Sequence, residues 1–199
     1  MTRIWLIRHG EPVAEAQGRC YGSLDFGLSG RGQSQMAAVA QYLATEPLAA
    51  ICASPLSRAM ESAQIVAARQ SCPVECVTDL RELDFGNFEG LSYDEIAALH
   101  PDLYRQWMNT PTEIRFPNGE SFAEMRARVL SAFDAIRRER EGQTVAIVSH
   151  GGVNRILIAW ALQIPDSCIF RLAQDYAAIN LITVIDGVPS VRTLNRQPF

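Results

Sequence analysis

Apolar positions along this chain follow two periods, and the two alternate. Short apolar runs at residues 4–7, 49–53, 74–77 and 144–149 are closed by polar, glycine or proline positions, the pattern of strands buried on both faces. Between them the apolar spacing changes to three and four. Met36, Val39, Ala40 and Leu43 share one face of a helix that opens at Ser29 and runs to about residue 44. A second helix covers 57–69, stopped by Cys72-Pro73. Ser92 with Glu95, and Ser121 with Glu124, are capping boxes, so a helix opens after each. The first is short. Pro101 then suits the first turn of another, which reaches about residue 109. The helix after Ser121 continues to about residue 140, where Gly142 stops it. A last helix covers 152–162, and strands at 180–185 and 190–194 are joined by a turn at Asp186-Gly187-Val188-Pro189.

Strands alternating with helices predict an α/β fold: a three-layer sandwich whose central sheet is mainly parallel and flanked by helices. Residues 91–119 are expected to form a small helical excursion over one end of that sheet. No repeat, linker or low-complexity segment divides the chain, so residues 1–199 are read as a single domain. A hydrophobic content of 48% is ample for one large core.

The net charge of −4 argues against nucleic-acid or anionic-membrane partners and makes any cationic pocket a specific feature. Five cysteines without a CxxC pair, and only three histidines, lead us to expect no metal and no cofactor, with reduced thiols in the cytoplasm. The opening apolar run is closed by Arg8, too short for a signal peptide, and no stretch approaches membrane-spanning length. The expected partner is a small molecule, and the oligomeric state is left open, a homodimer included.

Candidate chemistry gathers just past the strands. Arg8-His9-Gly10 and Ser149-His150-Gly151-Gly152 each put an imidazole and a glycine at a strand end, where α/β sheets bind ligands. Arg58 falls in the first turn of a helix, an unfavourable place for a cation unless an anion lies beside it. Arginine forks match phosphate geometry, so Arg8, Arg58 and His150 are suited to hold one dianion. His9, if neutral and oriented, is a nucleophile for phosphorus. Glu82, past the third strand, is the candidate acid for a poor alkoxide leaving group, with Asp84 as the fallback.

These segments carry a resemblance. Leu6-Ile7-Arg8-His9-Gly10-Glu11, Ser54-Pro55-Leu56-Ser57-Arg58-Ala59, Leu80-Arg81-Glu82 with Phe85-Gly86-Asn87-Phe88-Glu89-Gly90, and Ser149-His150-Gly151-Gly152 resemble, in order, the motifs of the histidine phosphatase superfamily. The resemblance implies phosphorylation of His9, a phosphate pocket of Arg8, Arg58 and His150 with Gly151, and Glu82 as proton donor. By alignment it places Tyr21 and Gly22 at substrate. The stretches 18–25 and 117–121 resemble α-ribazole-phosphate phosphatases, which implies a metal-independent phosphomonoesterase. Phosphoglycerate mutase and a non-catalytic phospholigand-binding module are the alternatives. One departure stands out: Pro12 and Glu15 occupy places where many members carry threonine and asparagine, so Glu15 must point away from the pocket or the loop must differ.

Overall fold

The computed structural model describes residues 1–199. One six-stranded sheet forms its centre, built from β1 (Thr2–Arg8), β2 (Ala50–Ala53), β3 (Val74–Cys76), β4 (Thr144–Ser149), β5 (Ile179–Ile185) and β6 (Val188–Arg196). The strand order is β3-β2-β4-β1-β5-β6. The first four in that order run parallel, and β5 and β6 continue the sheet antiparallel. The mainly parallel α/β sandwich expected from the sequence is therefore observed.

The strands read as unbroken apolar runs because both sheet faces are covered. Along β1, Ile4 and Leu6 enter one core while Trp5 and Ile7 enter the other. β4 splits the same way, with Val145 and Ile147 against Ala146 and Val148. On the first face lie α5 (Phe122–Glu139) and α6 (Gly151–Leu162), which contribute Met125, Val129, Phe133, Ile156 and Leu157. On the second lie α1 (Gly30–Tyr42) and α2 (Ser57–Ala67), with Met36, Val39, Ala63 and Val66. Ser29 caps α1 through the amide of Gly32.

The excursion is also present. α3 (Tyr93–Leu99) and α4 (Pro101–Asn109) close over a small core of Cys20, Phe88, Ile96, Trp107, Ile114 and Phe116. Both expected capping boxes form with both arms made. One local reading needs correction. The hairpin turn is two residues, not four: Asp186 and Gly187 have φ of 50° and 80°, the left-handed pair that a tight hairpin between twisted strands requires. Val188 and Pro189 belong to β6, an edge strand, where proline is tolerated. His100 is half-buried and stacks on Phe88 with centroids 5.2 Å apart. The charged run 137–141 packs back onto the fold. Arg137 lies 5.1 Å from the Trp160 ring, and Arg140 reaches Glu75 at 2.6 Å.

Candidate active site

The parallel register decides where the two imidazoles stand. β1 and β4 are adjacent, and Arg8 pairs with Ser149, so His9 and His150 leave the sheet at the same level. Their ring centroids are 5.2 Å apart at 61°. β2 flanks β4 and delivers Ser54 to the same edge. β3 delivers Glu82 after the short turn Thr78–Leu80. Arg8, His9, His150 and Glu82 thus arrive from the C-terminal ends of parallel strands, and Arg58 from the helix that follows one.

Each ring is held at one nitrogen. Nδ1 of His9 is 2.7 Å from the carbonyl of Gly10; a neutral ring donating there carries its free lone pair on Nε2. Nε2 of His150 is 2.7 Å from the hydroxyl of Ser54. Both rings are almost fully buried. Burial first, then Arg8 and Arg58, hold the His9 imidazolium well below the usual histidine range, against a smaller opposing effect of the Gly10 carbonyl. Burial first, then Arg58, His9 and Arg8, act in the same direction on His150.

Those shifts set a stability prediction. A histidine whose folded pKa is depressed binds its proton more readily when unfolded, so its contribution is full above the unfolded pKa and is lost as pH falls below it. Unfolding free energy should decline as pH drops below ~6.5, by up to about 1.4 kcal/mol per pH unit for each of the two rings. Denaturant titrations across this range should show a shallower slope in His150→Gln than in wild type. Equal slopes would remove His150 from the account.

The cationic side of the site carries unpaired donors. Nε of Arg8, Nε of Arg58 and Nδ1 of His150 are all buried without a hydrogen-bond partner. Native proteins rarely leave such groups without a partner; four further orphaned atoms, on Arg3, Trp5, Glu46 and Arg137, lie elsewhere in the chain, but only here do three face one another. One terminal nitrogen of Arg8 and both of Arg58 are instead occupied by backbone. Arg8 donates from Nη1 to the carbonyl of Gln174. Arg58 donates to the carbonyls of Leu24 (2.8 Å), Tyr21 (3.2 Å) and Gly22 (2.7 Å). Each guanidinium is therefore pinned at its tip with its Nε edge left over.

The start of α2 has an anion of its own, the Asp25 carboxylate, which accepts from the Ser57 amide at 2.6 Å and the Ser57 hydroxyl at 2.8 Å. Asp25 therefore supplies negative charge at the positive end of the helix that carries Arg58. Glu15 resolves as well: it lies exposed in the short turn Ala14–Ala16, away from the cleft lining.

Glu82 is oriented by two backbone amides. Gly152 donates to Oε2 at 3.0 Å and Leu83 to Oε1 at 3.0 Å. A Cβ at 152 would lie 2.3 Å from Oε1 of Glu82, so a larger residue there would push the carboxylate out of this position. Arg128 of α5 fixes the same segment from behind. It bonds the carbonyls of Asp79, Arg81 and Glu82, and forks onto Glu120 at 2.6 and 2.8 Å. Arg81 pairs with Asp79, not with Glu82. Asp84, the fallback acid, turns its carboxylate to the amide of Gly86.

Arg8, His9, Tyr21, Gly22, Arg58 and Glu82 all line one cleft of about 200 Å³. Gly22 works through its backbone, since a Cβ there would sit 1.7 Å from the Leu83 carbonyl oxygen. Gly151 is buried beside the cleft, where a Cβ would lie 3.5 Å from Nε of Arg8. A second cavity of about 160 Å³ shares Glu82, Phe85 and Tyr93 with the first, and adds Trp107, Met125, Arg155 and Phe170. Arg155 was not singled out from the sequence. Its Nε bonds the Leu172 carbonyl, and the point a Cβ on Gly151 would occupy is 3.0 Å from its Nη1. Its spacing of four from Gly151 on a helix was the available signal. No three His, Cys, Asp or Glu side chains converge as metal ligands would.

Comparison with known proteins agrees with this geometry. The histidine phosphatase superfamily (branch 1) matches over residues 4–197. Bifunctional protein Rv2228c of Mycobacterium tuberculosis is 38% identical over 200 residues, covering 100% of this chain and 55% of that protein. The chain thus spans about half the length of that relative. Phosphoserine phosphatase 1 of Hydrogenobacter thermophilus is 31% identical over 182 residues, covering 92% of this chain and 86% of that one. The α-ribazole phosphatase of Shigella flexneri superposes with a TM-score of 0.90 at 28% identity, covering 98% of this chain and 96% of that structure. From its sequence motifs, its sheet order and this match along nearly its whole length, the chain belongs to the histidine phosphatase superfamily, branch 1.

Proposed function

We propose that residues 1–199 form a single-domain, metal-independent phosphomonoesterase that works through a phosphohistidine at His9. The observation that carries this is the set of three orphaned donors on Arg8, Arg58 and His150 around a buried, neutral imidazole. A phosphoryl dianion satisfies all three. Nε2 of His9 attacks phosphorus as its Nδ1–H donates to the Gly10 carbonyl. With the Ser54 hydroxyl donating to Nε2 of His150, that ring presents Nδ1–H to a phosphoryl oxygen. The two guanidinium edges stabilise the charge spread over the equatorial oxygens. Glu82 gives its proton to the departing alkoxide. It then takes one from the water that cleaves the P–N bond, which frees inorganic phosphate and restores His9.

The substrate follows from where Glu82 lies. It stands between the two cavities, so an alcohol leaving past it enters the second, whose walls include Phe85, Tyr93, Trp107 and Phe170. Those walls support a small phosphate monoester with a flat, largely apolar body, and we take α-ribazole 5′-phosphate as the leading substrate. Glycine-bounded loops and an acidic net charge give no support to a nucleic-acid partner. No helix is long and apolar enough to cross a membrane. Five unpaired cysteines support a cytoplasmic setting.

A panel of phosphate monoesters tests this, with phosphate release as the readout. It includes α-ribazole 5′-phosphate, phosphoserine, glycerol phosphates, and 3-phosphoglycerate with a bisphosphoglycerate primer. The expected result is phosphate release, with the highest kcat/KM on α-ribazole 5′-phosphate. Isomerisation of 3-phosphoglycerate without phosphate release would instead mark a mutase. Phosphate binding with no turnover on any ester would mark a binding module.

A further inference from the structure

Two tyrosines 155 positions apart meet beside the cleft: the hydroxyls of Tyr21 and Tyr176 are 2.7 Å from each other. Each ring also lies against one of the two cleft arginines. Cζ of Arg8 is 4.0 Å from the Tyr176 ring centroid, and Cζ of Arg58 is 5.0 Å from that of Tyr21. The path Arg8–Tyr176–Tyr21–Arg58 is therefore unbroken from one guanidinium to the other. We propose that this tyrosine pair is a brace that fixes the spacing of the two guanidiniums for phosphoryl capture, making Tyr21 and Tyr176 positioning residues. The inference rests on the reading that Arg8 and Arg58 hold the phosphoryl group.

Two cations facing one cleft repel each other, and repulsion is strong where water is scarce. An aromatic face attracts a guanidinium, so a ring behind each one offsets that tendency to separate. A hydroxyl–hydroxyl bond then couples the two rings. Because the tips of both arginines are tied to backbone, a small movement of either ring re-aims the free Nε edge. Positioning of this kind matters at sub-ångström scale for phosphoryl transfer, where catalysis is mostly orientation and charge stabilisation.

The segment bearing Tyr176 is built to be rigid. The Ala177 amide donates to the His9 carbonyl, and the Arg8 amide to the Ala178 carbonyl, both at 3.0 Å. Ala177 is held at φ 55°, a left-handed conformation that an alanine keeps only when its surroundings impose it. Those surroundings are a buried amide cluster. The Gln174 side chain exchanges hydrogen bonds with Asn180 at 2.9 Å and accepts from Asn154 at 3.2 Å. Asn180 in turn donates to the Leu6 carbonyl in β1. The cluster ties β1, α6 and β5 to the loop that carries Tyr176. Tyr21 is fixed on its side by its own carbonyl, which accepts from Arg58. Its hydroxyl is engaged by Tyr176 and its side lines the cleft, so the positioning role stands beside the substrate contact suggested by alignment.

A double-mutant cycle tests the brace, with inorganic phosphate as the probe. Tyr21→Phe and Tyr176→Phe each remove the shared hydroxyl bond and keep both rings on their arginines. Each should raise the inhibition constant for phosphate about fivefold, the size of one hydrogen bond, with the thermal midpoint lowered by no more than about 2–4 °C, the worth of that same bond. The double variant should be no worse than either single one in either readout, because both remove the same bond. Multiplied losses, no loss of affinity, or a thermal midpoint that falls further than one bond accounts for would each overturn the proposal. If wild type itself is not inhibited by phosphate, the phosphate-pocket reading fails first, and that outcome is distinct from a wild type that binds phosphate alongside variants that bind it equally well.

Discussion

Replacing His9 with alanine should reduce phosphate-ester turnover by about 10⁴-fold or more while the protein stays folded. Of the two buried imidazoles held at one nitrogen, His9 is the one that lines the cleft. Without it, water must attack phosphorus with no base placed for that step. The backbone around His9 does not depend on the ring: its amide still donates to Ser149 and its carbonyl still accepts from Ala177. Phosphate inhibition should persist, because Arg8, Arg58 and His150 remain. Activity within tenfold of wild type would remove His9 from the mechanism. A collapse in thermal midpoint would show that the loss reports folding instead of chemistry.

Glu82→Gln should separate the two halves of the reaction. The amide keeps the shape but can accept from only one of the Gly152 and Leu83 amides, which bond separate oxygens of Glu82, and it can neither give nor take the proton. On alkyl phosphates kcat should fall by roughly 10²–10⁴-fold. On p-nitrophenyl phosphate, whose leaving group needs no proton, formation of the phosphohistidine should proceed and its hydrolysis should stall. The expected trace is a burst of nitrophenolate, equal to the enzyme present, followed by a slow phase. Loss of the burst itself would mean that Glu82 does not act as the donor assigned to it, and an undiminished steady state would mean that another group, Asp84 being nearest in sequence, supplies the proton.

Much of the site was legible because its parts are written as local patterns. A short apolar run followed by His-Gly predicts a strand end, and two of them predicted the imidazole pair that β1 and β4 deliver in register. The capping boxes at Ser92 and Ser121 use atoms within four residues, so sequence alone decides them. What sequence did not disclose is long-range. Asp25 answering the α2 dipole depends on how loop 18–28 folds back, and nothing in Gly18–Gly27 fixes that. The Arg128–Glu120 fork behind Glu82 joins a helix to a loop. Tyr176 sits in a stretch with no periodicity and becomes meaningful only once the sheet brings it over Arg8. The hairpin turn was overextended because Pro189 reads as a turn residue unless its strand is known to be an edge.

The central claim is that His9 becomes covalently phosphorylated. The most direct measurement is trapping by alkaline quench, under which the P–N bond of a phosphohistidine survives, of Glu82→Gln protein mixed with p-nitrophenyl phosphate, followed by intact-mass analysis and peptide mapping at neutral to alkaline pH. The account predicts one phosphoryl group per chain, on the peptide containing Arg8-His9-Gly10, attached at Nε2 and absent in the His9→Ala, Glu82→Gln double variant. A phosphoryl group on any other residue, or substrate consumed while the protein mass never changes, would contradict it.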